Sequence, residues 1–504
     1  MSTASVPAPG EEWRKLDRRT LLVTAAVMTG VATGAGVPTA VALSGGMGAG
    51  RALAWVLPAA LLLIACGLGG DYVRWRRTRY RIGTDRAELH TGLLLVKRRS
   101  LGRERIRSVD LTANLLLRIL GLVKVRIGTG EQTGGESTLE LDPVTRAEGE
   151  RLRTELLDRT PSDTAGAHRD GRLAVLDPRW IRYAPLSFVA PLLGGAAAGG
   201  VMQVSEWFGV QHEVIDWIGD RFRDTSILTM IVVLVVAALL AGIVGSLGLW
   251  VEMWWNYRLE REPGGTLRVR RGLFTSRSVS IEERRLRGVE LVEPLGVRLV
   301  GAARVDAVAT GLAQDDDDKH TDLKTLLPAA PRAAADEVAA QVLRETTSPT
   351  GTAGLTPHPL AARGRRLRWA VGSALAPVLV LLTLGLLVSD VLLSVAAVCA
   401  VVLLPVAVLL ALDAYRNLGH GLSGGYLVAR SGTVRRSTVA LQRGGVIGWT
   451  VKQSYFQRRA GLLTLTATTA AGDGAYDVYD AAEGEGLAFA AQAVPGLLEP
   501  FLEK

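Results

Sequence analysis

Arg105, Arg118 and Gly121 stand in the segment ERIRSVDLTANLLLRILG, and Arg285, Arg298 and Gly301 recur at the same spacing in RRLRGVELVEPLGVRLVG. A third segment, QRGGVIGWTVKQSYFQRRAG, offers Arg443, Arg458 and Gly461 if two extra residues are allowed before the second arginine. Upstream, Gly92 and Gly272 each precede their first arginine by thirteen residues, and Gly432, the nearest equivalent, precedes Arg443 by eleven. A guanidinium presents fixed donors that match phosphate or carboxylate oxygens two at a time. The recurrent pairs could therefore line a cationic pocket for a lipid headgroup or an acidic peptide. They could equally bond loop carbonyls or a carboxylate of their own domain, and spacing alone does not choose. Gly121, Gly301 and Gly461 are expected in equivalent turns leading into strands, where a side chain would be costly.

Other chemistries find no constellation. His90, His168, His212, His320, His358 and His420 lie in different turns, linkers and loops, with no metal-ligand spacing between any two. Cys66 and Cys399 are far apart and support neither a disulfide framework nor a metal site. The run Asp315-Asp316-Asp317-Asp318-Lys319 lacks the spaced ligands of a cation loop and reads as solvated. No phosphate-binding Gly-rich loop, nucleophile elbow or dinucleotide fingerprint is present. The expectation is a protein that is not an enzyme, without cofactor or metal, and without a nucleic-acid partner.

The elements that must position the arginines are apolar hairpins and strand-rich modules, each used three times. The chain has 504 residues, 48% of them hydrophobic, and a mean hydropathy of +0.23. Leu21–Leu43 with Ala52–Gly70, Ala184–Val204 with Ile227–Val251, and Trp369–Val388 with Val391–Leu412 are each long enough to cross an apolar layer of roughly 30 Å. None carries an interior ionisable residue, which argues against a pump or secondary transporter. Gly30 with Gly34 and Gly195 with Gly199 have the spacing of close helix packing.

Lys appears only seven times, so Arg supplies nearly all of the 58 basic residues, a skew that suggests a GC-rich bacterial genome. Arg74, Arg76, Arg77 and Arg79 follow the second span, and Arg363, Arg365, Arg366 and Arg368 precede the fifth. These juxtamembrane arginines are expected to contact phosphate, while Ser205–Thr225 between the third and fourth spans is acidic. The asymmetry places both termini and all three modules in the cytoplasm of a multi-pass protein of the bacterial cytoplasmic membrane.

The resulting order is a tail (1–18), hairpin 1 (19–71), module 1 (72–158), a linker (159–178), hairpin 2 (179–252), module 2 (253–345), a linker (346–364), hairpin 3 (365–413) and module 3 (414–504). Both linkers are rich in Pro, Gly, Thr and Ser and are expected to be mobile. Each module alternates apolar and polar residues with period two and ends in an amphipathic helix. The fold class is therefore six membrane helices in hairpins plus three α+β or all-β modules, each a bent antiparallel sheet or barrel closed by a C-terminal helix.

Paired spans followed by R-I-x-S-V and then R-x-x-G resemble the bacterial pleckstrin-homology-like membrane proteins of the second type, in particular the multi-module, YdbT-like members. Module 1 carries the pattern nearly throughout in GLLLVKRRSLGRERIRSVDLTANLLLRILGLVKVRIGT, whereas module 3 has Gln442-Arg443-Gly444-Gly445 in place of R-I-x-S. The resemblance implies two near-orthogonal antiparallel sheets capped by a helix, and no known reaction. The expected function is a binding or scaffolding platform on a bilayer with anionic headgroups, with a protein partner in the membrane. The alternatives are an accessory subunit of a transport or envelope-stress system and a lipid-handling protein.

Overall fold

The computed structural model describes residues 13–92, 97–106, 108–128, 138–157, 171–187, 189–262, 264–310 and 323–498. The chain forms two compact units, Met1–Glu282 and Glu283–Lys504, so the division falls inside the second module and at neither linker. Residues 1–12 and the run Asp315–Lys319, like His168 and His320, lie outside the described residues.

The first unit opens with strand β1 (Arg14–Lys15) and the helices α1 (Thr20–Met47) and α2 (Ala49–Arg77). Strands β2 (Arg79–Ile82), β3 (Arg86–Thr91) and β4 (Lys97–Gly102) continue the sheet begun by β1. The module is completed by β5 (Ser108–Ala113), α3 (Leu115–Ile119), β6 (Leu122–Gly128), β7 (Thr138–Thr145) and α4 (Arg146–Leu157). Alternation along the strands fills one core. Tyr80, Ile82 and Leu89 meet Val109, Val125 and Ile127 there, and Leu152 and Leu156 of α4 join the same cluster.

After β8 (Arg172–Val175) come α5 (Val189–Trp207), α6 (Gln211–Arg221) and α7 (Ile227–Trp254), then β9 (Arg258–Glu262), β10 (Thr266–Arg271) and β11 (Ser276–Glu282). Two expectations are corrected here. The acidic segment read as a loop contains α6, and the close-packing glycines are Gly194 and Gly242. A Cβ at either would run into the Ala238 or Ala190 carbonyl of the facing helix, whereas Gly30, Gly34, Gly195 and Gly199 have open space around them.

In the second unit, β12 (Leu286–Pro294), α8 (Leu295–Leu299), β13 (Ala302–Ala309), β14 (Thr325–Pro331) and α9 (Arg332–Leu343) precede α10 (Pro349–Thr352). The helices α11 (Leu360–Leu387) and α12 (Asp390–Arg416) follow, then β15 (Gly419–Ser423), β16 (Tyr426–Ser431) and β17 (Arg435–Gln442). The last module closes with β18 (Val446–Lys452), α13 (Tyr455–Arg459), β19 (Leu462–Thr469), β20 (Ala475–Ala482) and α14 (Glu483–Ala493). The linker before α11 packs against its neighbours. Ser348, Thr350 and His358 are buried in it, and Thr356 bridges to His420, so its small polar residues pack where composition suggested slack.

Among the described residues, five helices (α1, α2, α7, α11 and α12) are long and apolar enough to cross a membrane. A sixth span is reached only if α5 is taken with the 3-10 segment Pro178–Leu186, which meets it at 68°.

The modules are not closed sheets standing alone. One seven-stranded sheet runs β7-β6-β5-β11-β10-β9-β8, and one six-stranded sheet runs β14-β13-β12-β17-β16-β15. Thus β5 of module 1 pairs with β11 of module 2, and β12 of module 2 pairs with β17 of module 3. The registers agree: Ser108 faces Ile281 and Leu111 faces Ser278, while Gly288 faces Leu441 and Leu291 faces Thr438. A three-stranded sheet holds β18, β19 and β20, with β18 at its edge.

Candidate functional site

Counterparts in the second module lie 180 residues after those in the first, and those in the third a further 160. Gly121, Gly301 and Gly461 have φ of +70°, +69° and +61°, each immediately before a strand. The carbonyl of each accepts from the first N–H of the module's C-terminal helix, that of Arg146, Arg332 and Glu483, at 3.0, 2.9 and 3.1 Å. Gly272 and Gly432 turn at φ +113° and +99°, where a Cβ would strike the Thr275 and Arg435 carbonyls.

The same offset corrects the alignment of the third module. The 3-10 turns Arg103–Arg105, Glu283–Arg285 and Arg443–Gly445 are equivalent, so Gly445 stands where Arg105 and Arg285 stand and no residues are inserted. Arg443 is instead the counterpart of Arg103. Arg443 donates to the Ala493 and Gln492 carbonyls at 2.5 and 2.6 Å, and Arg103 to the Glu155 carbonyl, so both hold the end of the C-terminal helix. Glu283 reaches the corresponding place by accepting from Arg344 at 2.6 Å. Arg285 is half-buried in its turn, and the side chain of Arg105 lies outside the described residues.

The second arginine of each motif sits on a short helix: α3, α8 and α13. Arg118 Nη1 donates to the Leu273 carbonyl, in the β10–β11 turn, at 2.6 Å. Arg298 Nη2 donates to Asp413 Oδ2 at 2.8 Å, and Asp413 also accepts from Thr433 Oγ1, in the β16–β17 turn, at 2.7 Å. Arg118 therefore binds the turn of the following module directly, and Arg298 reaches the equivalent turn through Asp413 of α12. Arg458, in the last module, is exposed.

The first junction carries a cleft of about 290 Å³. Arg118, Arg146, Arg268, Arg270, Arg271 and Arg277 line it, and Glu150 is its one acidic lining residue. Arg268, only 3% exposed, bonds Glu150 at 2.7 Å and Glu262 at 3.0 Å. Arg153 bonds the same two carboxylates. Burial alone would raise the Glu150 carboxyl, but the hydrogen bonds from Arg268 and Arg153 outweigh it and hold it below its ordinary value. Burial and the neighbouring Arg268 cation lower Arg270. An excess of fixed donors around a small space suits a phosphate-like or carboxylate anion.

The sequence reading missed a second cluster. His358 Nε2 and His420 Nδ1 lie 3.0 Å apart, and His358 Nδ1 is 3.1 Å from the Asp480 carbonyl. A carbonyl only accepts, so His358 carries its proton on Nδ1 and His420 donates to it. Burial lowers both imidazoles, His420 to about 4, helped by its neighbour His358. Asp480 is fully buried at φ +56° and accepts from Arg365 at 2.6 Å and Gln457 at 2.9 Å, with Arg366 at 3.4 Å. Two of the arginines assigned to phosphate thus close on Asp480, while Arg363 and Arg368 are exposed. On α2, Arg74 pairs with Asp71 at 2.8 Å and Arg76 and Arg77 are exposed, as is Arg79 at the start of β2. Among the described residues no group of three or more His, Cys, Asp or Glu could hold a metal ion.

Against known families, the profile described as "Bacterial PH domain" matches residues 36–160, 213–346 and 377–491. The chain belongs to that family. The matches begin inside α1, α6 and α11, take in the apolar helix that follows each and run into the C-terminal helix of the module or past it, so the bacterial PH repeat includes apolar helix as well as sheet. The UPF0699 transmembrane protein YdbT of Bacillus subtilis (strain 168) is 22% identical over 422 residues, covering 80% of this chain and 81% of that one. No solved structure matches the chain. This is a YdbT-like membrane protein with three bacterial PH repeats.

Proposed function

We propose that the chain is a membrane-anchored binding platform, with its PH modules and both termini in the cytoplasm, and that it catalyses no reaction. The observation that carries this reading is the pairing of β5 with β11 and of β12 with β17. It joins successive modules through main-chain hydrogen bonds and makes their surface continuous within each unit. The cationic cleft of the first junction is the site for a ligand, a phosphate-bearing headgroup of an anionic phospholipid. Trp255 and Asn256, which follow α7 directly, line it, so the cleft opens where that helix leaves the apolar layer.

Full-length protein in nanodiscs of mixed phosphatidylcholine and phosphatidylglycerol tests the reading by native mass spectrometry. Retained phosphatidylglycerol should fall severalfold in Arg270→Ala with Arg146→Ala, while Arg458→Ala retains it. Equal retention in all three would overturn the cleft as the ligand site.

A further inference from the structure

The short helices α3, α8 and α13 bury little of themselves. Ile119 is 72% exposed, Leu299 77% and Phe456 62%, each flanked by a second exposed apolar residue: Leu115, Val300 or Tyr455. Ile119 and Leu299 are counterparts at the 180-residue offset, and the third copy exposes Tyr455 and Phe456 on the equivalent short helix, so apolar exposure recurs on all three elements and is not scattered surface.

Each patch adjoins the module-side end of a spanning helix. Arg19, the residue before α1, donates to the Leu120 carbonyl at 2.9 Å, directly after α3. Arg298 of α8 bonds Asp413 in the last turn of α12. Phe456 of α13 lines an apolar cleft of about 520 Å³ with Arg368, Trp369 and Gly372 of α11. The β10–β11 turn is tied to the same level at α7, since Glu252 accepts from Phe274 N and Thr275 N at 2.8 and 2.9 Å. Phe274 at that turn is 54% exposed.

We infer that α3, α8 and α13 are in-plane elements that dip their apolar face into the headgroup–acyl boundary of the bilayer, with the bilayer itself as the occupant. The argument is continuity: each exposed face borders the apolar belt of a spanning helix. Tyr72, Trp75, Trp255 and Trp369 stand at that level as interfacial aromatics. Main-chain groups stay satisfied because the helices are short and only their side chains enter. On this reading the motif arginine Arg118 or Arg298 holds the module at the depth where the neighbouring side chains reach lipid. The proposal rests on the platform reading only in setting the modules against a membrane.

The test uses the full chain with Cys66 and Cys399 replaced by Ala and one new cysteine at Ile119, Leu299 or Phe456. Each is labelled with a nitroxide and studied in nanodiscs of phosphatidylcholine and phosphatidylglycerol. The ratio of collisions with oxygen to collisions with a water-soluble nickel chelate reports depth. We expect all three positions to give ratios severalfold above those of labels at Thr154 on α4 and Glu485 on α14. A water-like ratio at any of the three overturns the proposal. A label at Leu62 in α2 separates the two readings: lipid-like there with water-like short helices removes only the dipping. Water-like at Leu62 removes the membrane platform as well.

Discussion

The two internal junctions have the same strand register and opposite electrostatics. At β12·β17, Glu293 accepts two bonds of 2.7 Å from Arg436 and pairs with Arg332 at 2.9 Å, while Glu290 accepts from Ser437 at 2.7 Å. At β5·β11 the counterpart of Glu290 is Asp110, buried, and the adjoining cleft is left rich in arginine. Pairing is therefore the shared architecture, while the arginine-lined cleft lies at the first junction and the arginines Arg332 and Arg436 of the second close on Glu293. A site that must accept an anion differs from a joint that must only hold by the carboxylates it lacks.

Removing the neutralising acid should break the second junction first. Glu293→Ala takes the carboxylate from Arg436 and leaves Arg332 with Asp336, at an expected cost of about 2–4 kcal/mol in unfolding experiments on the full chain in nanodiscs. Glu150→Ala should cost about 1 kcal/mol, since that carboxylate is one-third exposed. Equal losses would erase the distinction between joint and site.

The motif arginines give a graded series. Arg298→Ala removes a charged hydrogen bond to Asp413 of α12 and should lower stability by about 2 kcal/mol. Arg458→Ala removes an exposed side chain and should stay within about 0.5 kcal/mol. A large effect at Arg458 would mean that these arginines serve their own module.

Two titrations should run in opposite directions. Burial pushes the Asp110 carboxyl up to about 7 despite Arg126, so its folded form holds a proton that the unfolded chain releases near pH 4. This term favours folding in acid and is lost as pH rises from about 4 to about 7. Asp110→Asn should therefore gain on the order of 1 kcal/mol at pH 8 and little at pH 4. His358 and His420 are held neutral, so their term is present above about pH 6.5 and is lost as pH falls toward the lowered value of about 4 at His420. His420→Gln should flatten that acid limb by less than about 1 kcal/mol. Thermal unfolding across pH 4–8 reads both, and parallel slopes would contradict the assignment.

Much of this was legible because local rules are written locally. The apolar hairpins, the period-two strands and the turn glycines each need only their own neighbours. Gly445 was misread because arginine was sought at that place, and the nearest one, Arg443, belongs to a different contact. His358 and His420 meet only because a linker of small polar residues packs against module 3, and composition cannot distinguish such packing from slack. Strand pairing between modules was also hidden. A trace was available in Asp110 and Glu290, acids inside strands at one equivalent place, where the third copy has Thr450.

That third strand has a consequence for how many modules can be strung together. β18 lies at a sheet edge, and in the first module β4 holds the edge position that β11 and β17 use for pairing. Extending the shared register to a second molecule would set Thr450 against Arg99, Val451 against Arg98 and Lys452 against Lys97. Like charges face one another there, and no acid answers the arginines. Lysine on an edge strand is a recognised guard against runaway pairing. Charge thus disfavours pairing of these two edges between molecules, and restoring it would call for the carboxylate that Asp110 and Glu290 supply at the place of Thr450.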